Sequence, residues 1–164
     1  MRKIVRPPYW PRNGQPYRTT PFTWIVKNRI AASWWPDDEV FEIYRKEGVK
    51  VIINCSEFDN HKQVPKEFHY YHISIPDYGI PTDFQIKKFL DITNYHREQN
   101  ESIVVHCVAG CGRTGQMIVV WGAHNNQIPK GIDPVDWIRS YRKCCLETKE
   151  QKKFAREIAK KLQD

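Results

Sequence analysis

Acidic residues are in short supply: 19 Asp and Glu stand against 26 Lys and Arg, so the chain carries a net charge of +7. That excess suits anionic partners such as phosphorylated proteins, phosphoinositides, nucleic acid or a membrane surface, without choosing among them. Long apolar runs are missing, which excludes a membrane-spanning helix, and Met1 to Pro8 holds no apolar stretch of signal-peptide length. An intracellular, cytoplasmic protein is expected. The cysteines number five (Cys55, Cys107, Cys111, Cys144, Cys145), an odd count without the spacing of a secreted disulfide framework, so a reducing compartment is expected too. Neither a zinc knuckle nor an RNA-binding aromatic motif is present. His61, His69 and His72 show no metal-ligand spacing and read as solvated or structural; no metal and no cofactor are expected.

What is present fits one domain of 164 residues, with no compositional break after the first 21. Residues 1–21 hold five prolines and five Arg or Lys together with Tyr9, Trp10 and Tyr17, and read as a basic, proline-rich arm that packs its aromatics over the domain or reaches a partner. Residues 22–164 read as the single folded domain. Phe22–Val26 and Arg29–Ser33 read as a hairpin, 37–47 as a helix stopped by Gly48, Val49–Asn54 as a buried strand and Tyr70–Ile75 as another. A helix starts near Thr82 or Asp83 and extends to about Asn100. Ile103–Val105 is a short β-branched strand, and a buried helix runs from Arg113 to His124 or Asn125, with Trp121 in the core and His124 at its rim. Asp133-Pro134 opens a further helix through Trp137 and Tyr141, and a basic helix covers about 147–162. Alternating helices and strands of this kind predict an α/β fold with a central, mostly parallel twisted sheet flanked by helices. Arg139, Arg142, Lys143 and the last helix read as solvated basic faces, with substrate steering as the sharper alternative.

The chemistry concentrates in His106-Cys107-Val108-Ala109-Gly110-Cys111-Gly112-Arg113-Thr114-Gly115, a strand-to-helix turn. Its glycines let successive amide N–H groups of residues 108–112 point into one concavity at the positive end of a helix, a nest for a phosphate dianion. The same amides would stabilise a thiolate at Cys107, and Arg113 offers a planar fork suited to two phosphate oxygens.

The pattern His-Cys-x-x-Gly-x-x-Arg-Thr-Gly resembles the signature of the cysteine-dependent protein tyrosine phosphatase superfamily, and the chain's brevity makes it most similar to the small dual-specificity phosphatases. The resemblance implies a phosphomonoesterase that forms a phosphocysteine on Cys107, with Arg113 and the amides of Val108, Ala109, Gly110, Cys111 and Gly112 holding the phosphate. It further implies that Thr114 stabilises the departing thiolate and that His106 fixes the loop by bonding to backbone. Pro76-Asp77-Tyr78-Gly79 resembles the family's general-acid loop, which makes Asp77 the acid and then the base; the plain alternative is a turn-forming Asp after Pro. In Glu147-Thr148-Lys149-Glu150-Gln151, Gln151 matches the family's water-positioning Gln, although Glu147 and Lys149 depart from that pattern. Cys55 resembles a cysteine that forms a reversible disulfide with the nucleophile in some members, and Cys111 is a second candidate; a small buried residue is the plain reading of Cys55. Lys27-Asn28-Arg29 resembles the phosphotyrosine-recognition motif of the larger enzymes, but Ile30 replaces their aromatic, so the match reads as accidental and a deep phosphotyrosine pocket is not expected. Phosphotyrosine and phosphoserine or phosphothreonine proteins are the expected substrates, handled by a monomer. Phosphatases acting on RNA 5′ ends or phosphoinositides are the competing enzyme readings: the neutral Val108 and Cys111 weigh against the lipid branch, and Asp77 against the RNA branch. A phosphate-binding module without turnover is the non-catalytic one.

Overall fold

A computed structural model describes Pro7 and residues 19–163. The expected arm of residues 1–21 otherwise lies outside the described residues. Five strands form one sheet: β1 (Phe22–Val26), β2 (Ile30–Ser33), β3 (Val49–Asn54), β4 (His69–His72) and β5 (Ser102–His106), in the order β1-β2-β5-β3-β4. Only β1 and β2 pair antiparallel, through the hairpin turn at Asn28, whose φ is +64°. The pairs β2–β5, β5–β3 and β3–β4 are all parallel, so the mostly parallel sheet expected from the sequence is present.

The two faces of the sheet separate by alternation along the central strands, interrupted in β3 by the register shift between Val49 and Val51. Ile30, Ala32, Val51, Ile53, Ile103 and Val105 enter the larger core, shared with α2 (Asp83–Glu98), α3 (Gly112–His124), α4 (Pro134–Tyr141) and α5 (Lys149–Gln163). Ala31, Ile52 and Val104 point the other way and meet Val40, Phe41 and Tyr44 of α1 (Asp38–Glu47) together with Phe68. Strands buried on both faces explain the unbroken apolar runs in the sequence.

Helix boundaries follow local chemistry. The Asp37 carboxylate accepts from the Val40 N–H at 3.0 Å to start α1, and Gly48, at φ +80°, ends it. Thr82 and Gln85 exchange a reciprocal capping box at the start of α2. At α4 the Asp133 carboxylate accepts from Val135 N–H at 2.8 Å, ahead of the proline that opens the helix.

Two boundaries differ from the sequence reading. β4 ends at His72, three residues early, because its partner β3 stops at Asn54; after one further bond, from Ile73 N–H to the Asn54 carbonyl at 2.9 Å, residues 73–75 have no strand to pair with. The final helix starts at Lys149, because the Gln151 side chain takes the N–H groups of Glu147 and Thr148 instead.

Register sets up the site. Ser33, His106, Asn54 and His72 lie abreast at the carboxyl edge of the sheet, the edge at which parallel α/β sheets bind ligands. Among the described residues no helix is long and apolar enough to cross a membrane.

Candidate active site

Beyond that edge the chain turns from β5 into α3 through residues 107–111. A hollow of about 250 Å³ opens there, lined by Asp77, Tyr78, Cys107, Val108, Ala109, Arg113 and Glu147. The Thr114 hydroxyl donates to Cys107 Sγ at 3.1 Å, so the sulfur lies beside a donor at the first turn of α3. Larger cavities exist elsewhere, but this is the one lined by Cys107, the expected nucleophile.

Three features hold the turn in shape. Gly110 has φ +74°, and a Cβ there would lie 2.2 Å from the Ser33 carbonyl oxygen, so only glycine fits. The buried Arg142 donates from Nε to the Gly110 carbonyl at 2.8 Å and from its other nitrogens to the Ala109 carbonyl at 3.1 Å and the Thr23 hydroxyl at 2.8 Å. Burial pulls its guanidinium below the usual range. Arg142 is therefore not one of the solvated basic residues expected from composition; it braces the loop from behind. His106, fully buried, donates from Nδ1 to the Cys107 carbonyl at 3.0 Å, while its Nε2 is buried without a hydrogen-bond partner among the described residues. Loss of solvation pulls its imidazole down to about 4, with the Cys107 carbonyl opposing.

Arg113 is 3% exposed although it is charged, and its partners explain how. It donates to Glu57 Oε1 and to the Ile75 carbonyl, both at 2.9 Å, and its NH2 lies 3.4 Å from Asp77 Oδ1. The second oxygen of Glu57 accepts from Asp77 N–H at 3.0 Å. One carboxylate after β3 thus couples the guanidinium to the acid loop, and Gln116 of α3 adds a second tether by donating to the Gly79 carbonyl at 3.0 Å. Sequence reasoning passed over Glu57; its only signal was an acidic residue close after a parallel strand's carboxyl end.

Glu147 was also missed. Its Oε1 accepts from Gly112 N–H at 3.0 Å, so a carboxylate occupies one amide of the expected phosphate nest. Burial, and next the like charge of Asp77, push its carboxyl up. Gln151 does not line the hollow. It is fully buried behind Glu147, its carbonyl accepting from Glu147 N–H at 2.8 Å, with Nε2 unpartnered among the described residues. A Cβ at Gly112 would lie 2.6 Å from Glu147 Oε1 and 2.8 Å from Gln151 Nε2, so a side chain there would displace both of these groups. Of the expected phosphate-binding residues, Val108, Ala109 and Arg113 line the hollow, whereas Gly110, Cys111 and Gly112 do not.

The cysteines require a correction. Cys111 is bonded to Cys144 across 33 positions, not to Cys107, and Cys55, Cys107 and Cys145 are free. The candidate pairing of Cys111 with the expected nucleophile is not the one present, because the fold lays the start of α3 against the α4–α5 connection, a proximity that sequence spacing does not display. Cys55 is fully buried at the end of β3, and burial first, then the nearby Cys107, pushes its thiol up. Lys27-Asn28-Arg29 sits at the other end of the sheet, where Asn28 and Arg29 line a separate cavity with Glu101, Ile103 and Trp121.

Two uncharacterized proteins of Methanocaldococcus jannaschii are 34% and 37% identical to the chain over 101 and 91 residues, covering 60% and 54% of it. The chain spans 65% and 54% of their lengths. The human tyrosine-protein phosphatase non-receptor type 12 is 31% identical over 106 residues, 58% of this chain and 13% of that protein. Among solved folds, Tk-PTP in its active form superposes with a TM-score of 0.69 at 22% identity, covering 87% of this chain and 96% of that one. PTPMT1, solved with PI(5)P, superposes at 0.71 and 15% identity over 87% of this chain and 97% of that one. Residues 31–126, more than half of the chain, match the family described as "Polymorphic toxin system, DSP-PTPase phosphatase". From β2 to the end of α3, through the strand, the nucleophile turn and the buried arginine, this chain belongs to that family of cysteine-based phosphatases.

Proposed function

We propose that the protein is a metal-independent phosphomonoesterase that removes phosphate from phosphotyrosine and from phosphoserine or phosphothreonine in proteins through a phosphocysteine intermediate. The observation that carries this reading is the sulfur of Cys107, bonded by Thr114 at 3.1 Å, in a hollow whose walls include Arg113 and Asp77. In the first step the Cys107 thiolate attacks phosphorus in line, the P–O bond to the leaving group breaks, and Asp77 gives that oxygen its proton. Arg113 and the loop amides hold the equatorial oxygens. In the second step the Asp77 carboxylate takes a proton from water, the water oxygen attacks phosphorus, and the S–P bond breaks with the Thr114 hydroxyl bonded to the leaving sulfur. Glu147 adds a second carboxyl to the same wall, pushed up by burial and by Asp77, and Gln151 acts through it as a positioning residue.

Charge favours a singly phosphorylated substrate. Asp77 and Glu57 pair with the one guanidinium and Glu147 stands on the same wall, so a polyanionic inositol headgroup meets more repulsion than a lone phosphoryl group on a protein. The neutral Val108 and Ala109 on the wall point the same way.

Hydrolysis of a chromogenic aryl phosphate, measured with chelator present and vanadate as inhibitor, tests the reading. Cys107→Ser is expected to lose turnover and keep phosphate binding, and Asp77→Asn to slow alkyl phosphates more than aryl ones. Turnover by Cys107→Ser at the wild-type rate would remove the nucleophile. A panel of phosphopeptides, PI(5)P vesicles and 5′-phosphorylated RNA then tests the substrate class, with preference for either of the last two counting against a protein substrate.

A further inference from the structure

At the amino edge of the sheet, the far end from Cys107, three donors from separate parts of the chain converge: His69 at the start of β4, His96 near the end of α2, and Glu101 just before β5. We propose that these three residues form a binding site for a first-row divalent cation of the zinc type, a site that stabilises the fold and takes no part in phosphate chemistry.

The donor set is mixed and well matched to such an ion, two imidazoles and one carboxylate, which is the chemistry of three-ligand zinc sites with a fourth position left to water. Ligand atoms on a four-coordinate zinc with bonds of about 2.0–2.2 Å lie roughly 3.3–3.6 Å apart. Here Glu101 Oε1 is 2.9 Å from His96 Nδ1, Glu101 Oε2 is 3.4 Å from His69 Nε2, and the donor atoms all lie within 4.8 Å of one another. The imidazole rings of His69 and His96 are held 5.0 Å apart, centre to centre.

Orientation and access support the site further. His96 is 1% exposed, and its Nε2 lies 2.7 Å from the Tyr71 hydroxyl, so its far nitrogen is held while Nδ1 faces the carboxylate. A metal-bound histidine is commonly positioned in this way. Metal binding moves the imidazole proton from Nδ1 to Nε2, which then donates to the Tyr71 oxygen. His69 and Glu101 are partly open to solvent, which gives an ion a way in. The two nearby guanidiniums are turned to other partners, Arg97 to the Asn125 side chain and Arg29 over the Trp121 ring at 5.4 Å.

No local motif announces this arrangement: His96 and Glu101 are five positions apart, but His69 comes from a separate strand, β4, laid beside β3. The proposal departs from the expectation that no metal is held.

The test uses the full chain, stripped of metal, carrying Cys107→Ser so that the active-site thiol does not compete. Titration with Co²⁺ is expected to give one ion per chain, with the visible bands of a tetrahedral site and without the charge-transfer band that a cysteine ligand would add; Zn²⁺ displaces it and raises the melting temperature. His69→Ala and Glu101→Gln are each expected to weaken binding at least about tenfold and to abolish the rise in melting temperature on adding Zn²⁺, measured from each variant's own metal-free value. His69→Ala in the chain with Cys107 intact is expected to keep full turnover. Absence of stoichiometric binding, or binding that neither variant weakens, would overturn the proposal.

Discussion

Acidification is expected to release the nucleophile loop, and His106 is the residue through which it does so. The imidazole donates from Nδ1 to the Cys107 carbonyl, packs edge-on against Trp35 at 5.6 Å, and has its Nε2 enclosed with no hydrogen-bond partner among the described residues. A second proton would bury a charge there, which is why the folded protein holds this group near 4. In the unfolded chain it titrates near 6.5. Because the folded value is depressed, the stabilisation is complete above 6.5 and is lost as pH falls through 6.5 toward 4. Over that whole window it amounts to about 3.4 kcal/mol, of which about 2 kcal/mol is gone by pH 5. Such a loss is large beside a total stability of roughly 5–15 kcal/mol. Urea unfolding of the wild type and of His106→Asn at pH 7 and pH 5 isolates the effect, since every other titrating group cancels in the difference. The stability gap between the two proteins is expected to narrow by about 2 kcal/mol on going to pH 5. A gap that stays constant, or a ring resonance of His106 that titrates near 6.5 in the folded protein, would refute the reasoning.

Further outcomes follow from the supports of the loop. Gly110→Ala places a Cβ 2.2 Å from backbone at φ +74° and is expected to cost about 2–5 kcal/mol, read by urea unfolding together with loss of phosphate binding. Arg142→Lys removes the fork that serves two loop carbonyls and the Thr23 hydroxyl; about 2–4 kcal/mol of stability is expected to go with it, and an unchanged unfolding midpoint would contradict the bracing role. Glu147→Gln keeps an acceptor for Gly112 N–H and removes a negative charge from the hollow, so phosphate should inhibit on the order of tenfold more tightly at neutral pH. Since burial and Asp77 push the Glu147 carboxyl up, that gain is expected to vanish as pH falls through its folded value, where the wild-type carboxyl is already neutral.

Much of the architecture was legible because its causes are local. β-branched runs became strands, Asp37, Thr82 and Asp133 became caps, and the glycine-rich segment after β5 became the turn that holds Cys107. Cys107, Arg113, Thr114 and Asp77 could be nominated together because a motif and a loop resemblance name them. The rest depends on contacts between distant segments. Glu57 matters through a salt bridge across 56 positions, Arg142 through carbonyls more than 30 positions away, and Glu147 by standing against an amide at the start of another helix. Composition gave Arg142 the same standing as Lys143 beside it, yet one is enclosed and the other is not. The Cys111–Cys144 bond and the His69, His96 and Glu101 cluster were illegible for the same reason.

The family match ends at residue 126, whereas Arg142, Cys144, Leu146, Glu147 and Gln151 all press on the nucleophile turn from later in the chain. Reactive atoms and scaffolding are thereby divided between two tracts of the polypeptide that can diverge at different rates. A relative could preserve every signature residue and still present a slack, unproductive bowl if its tail had drifted, so inheritance of the motif alone is no guarantee of inheritance of the chemistry.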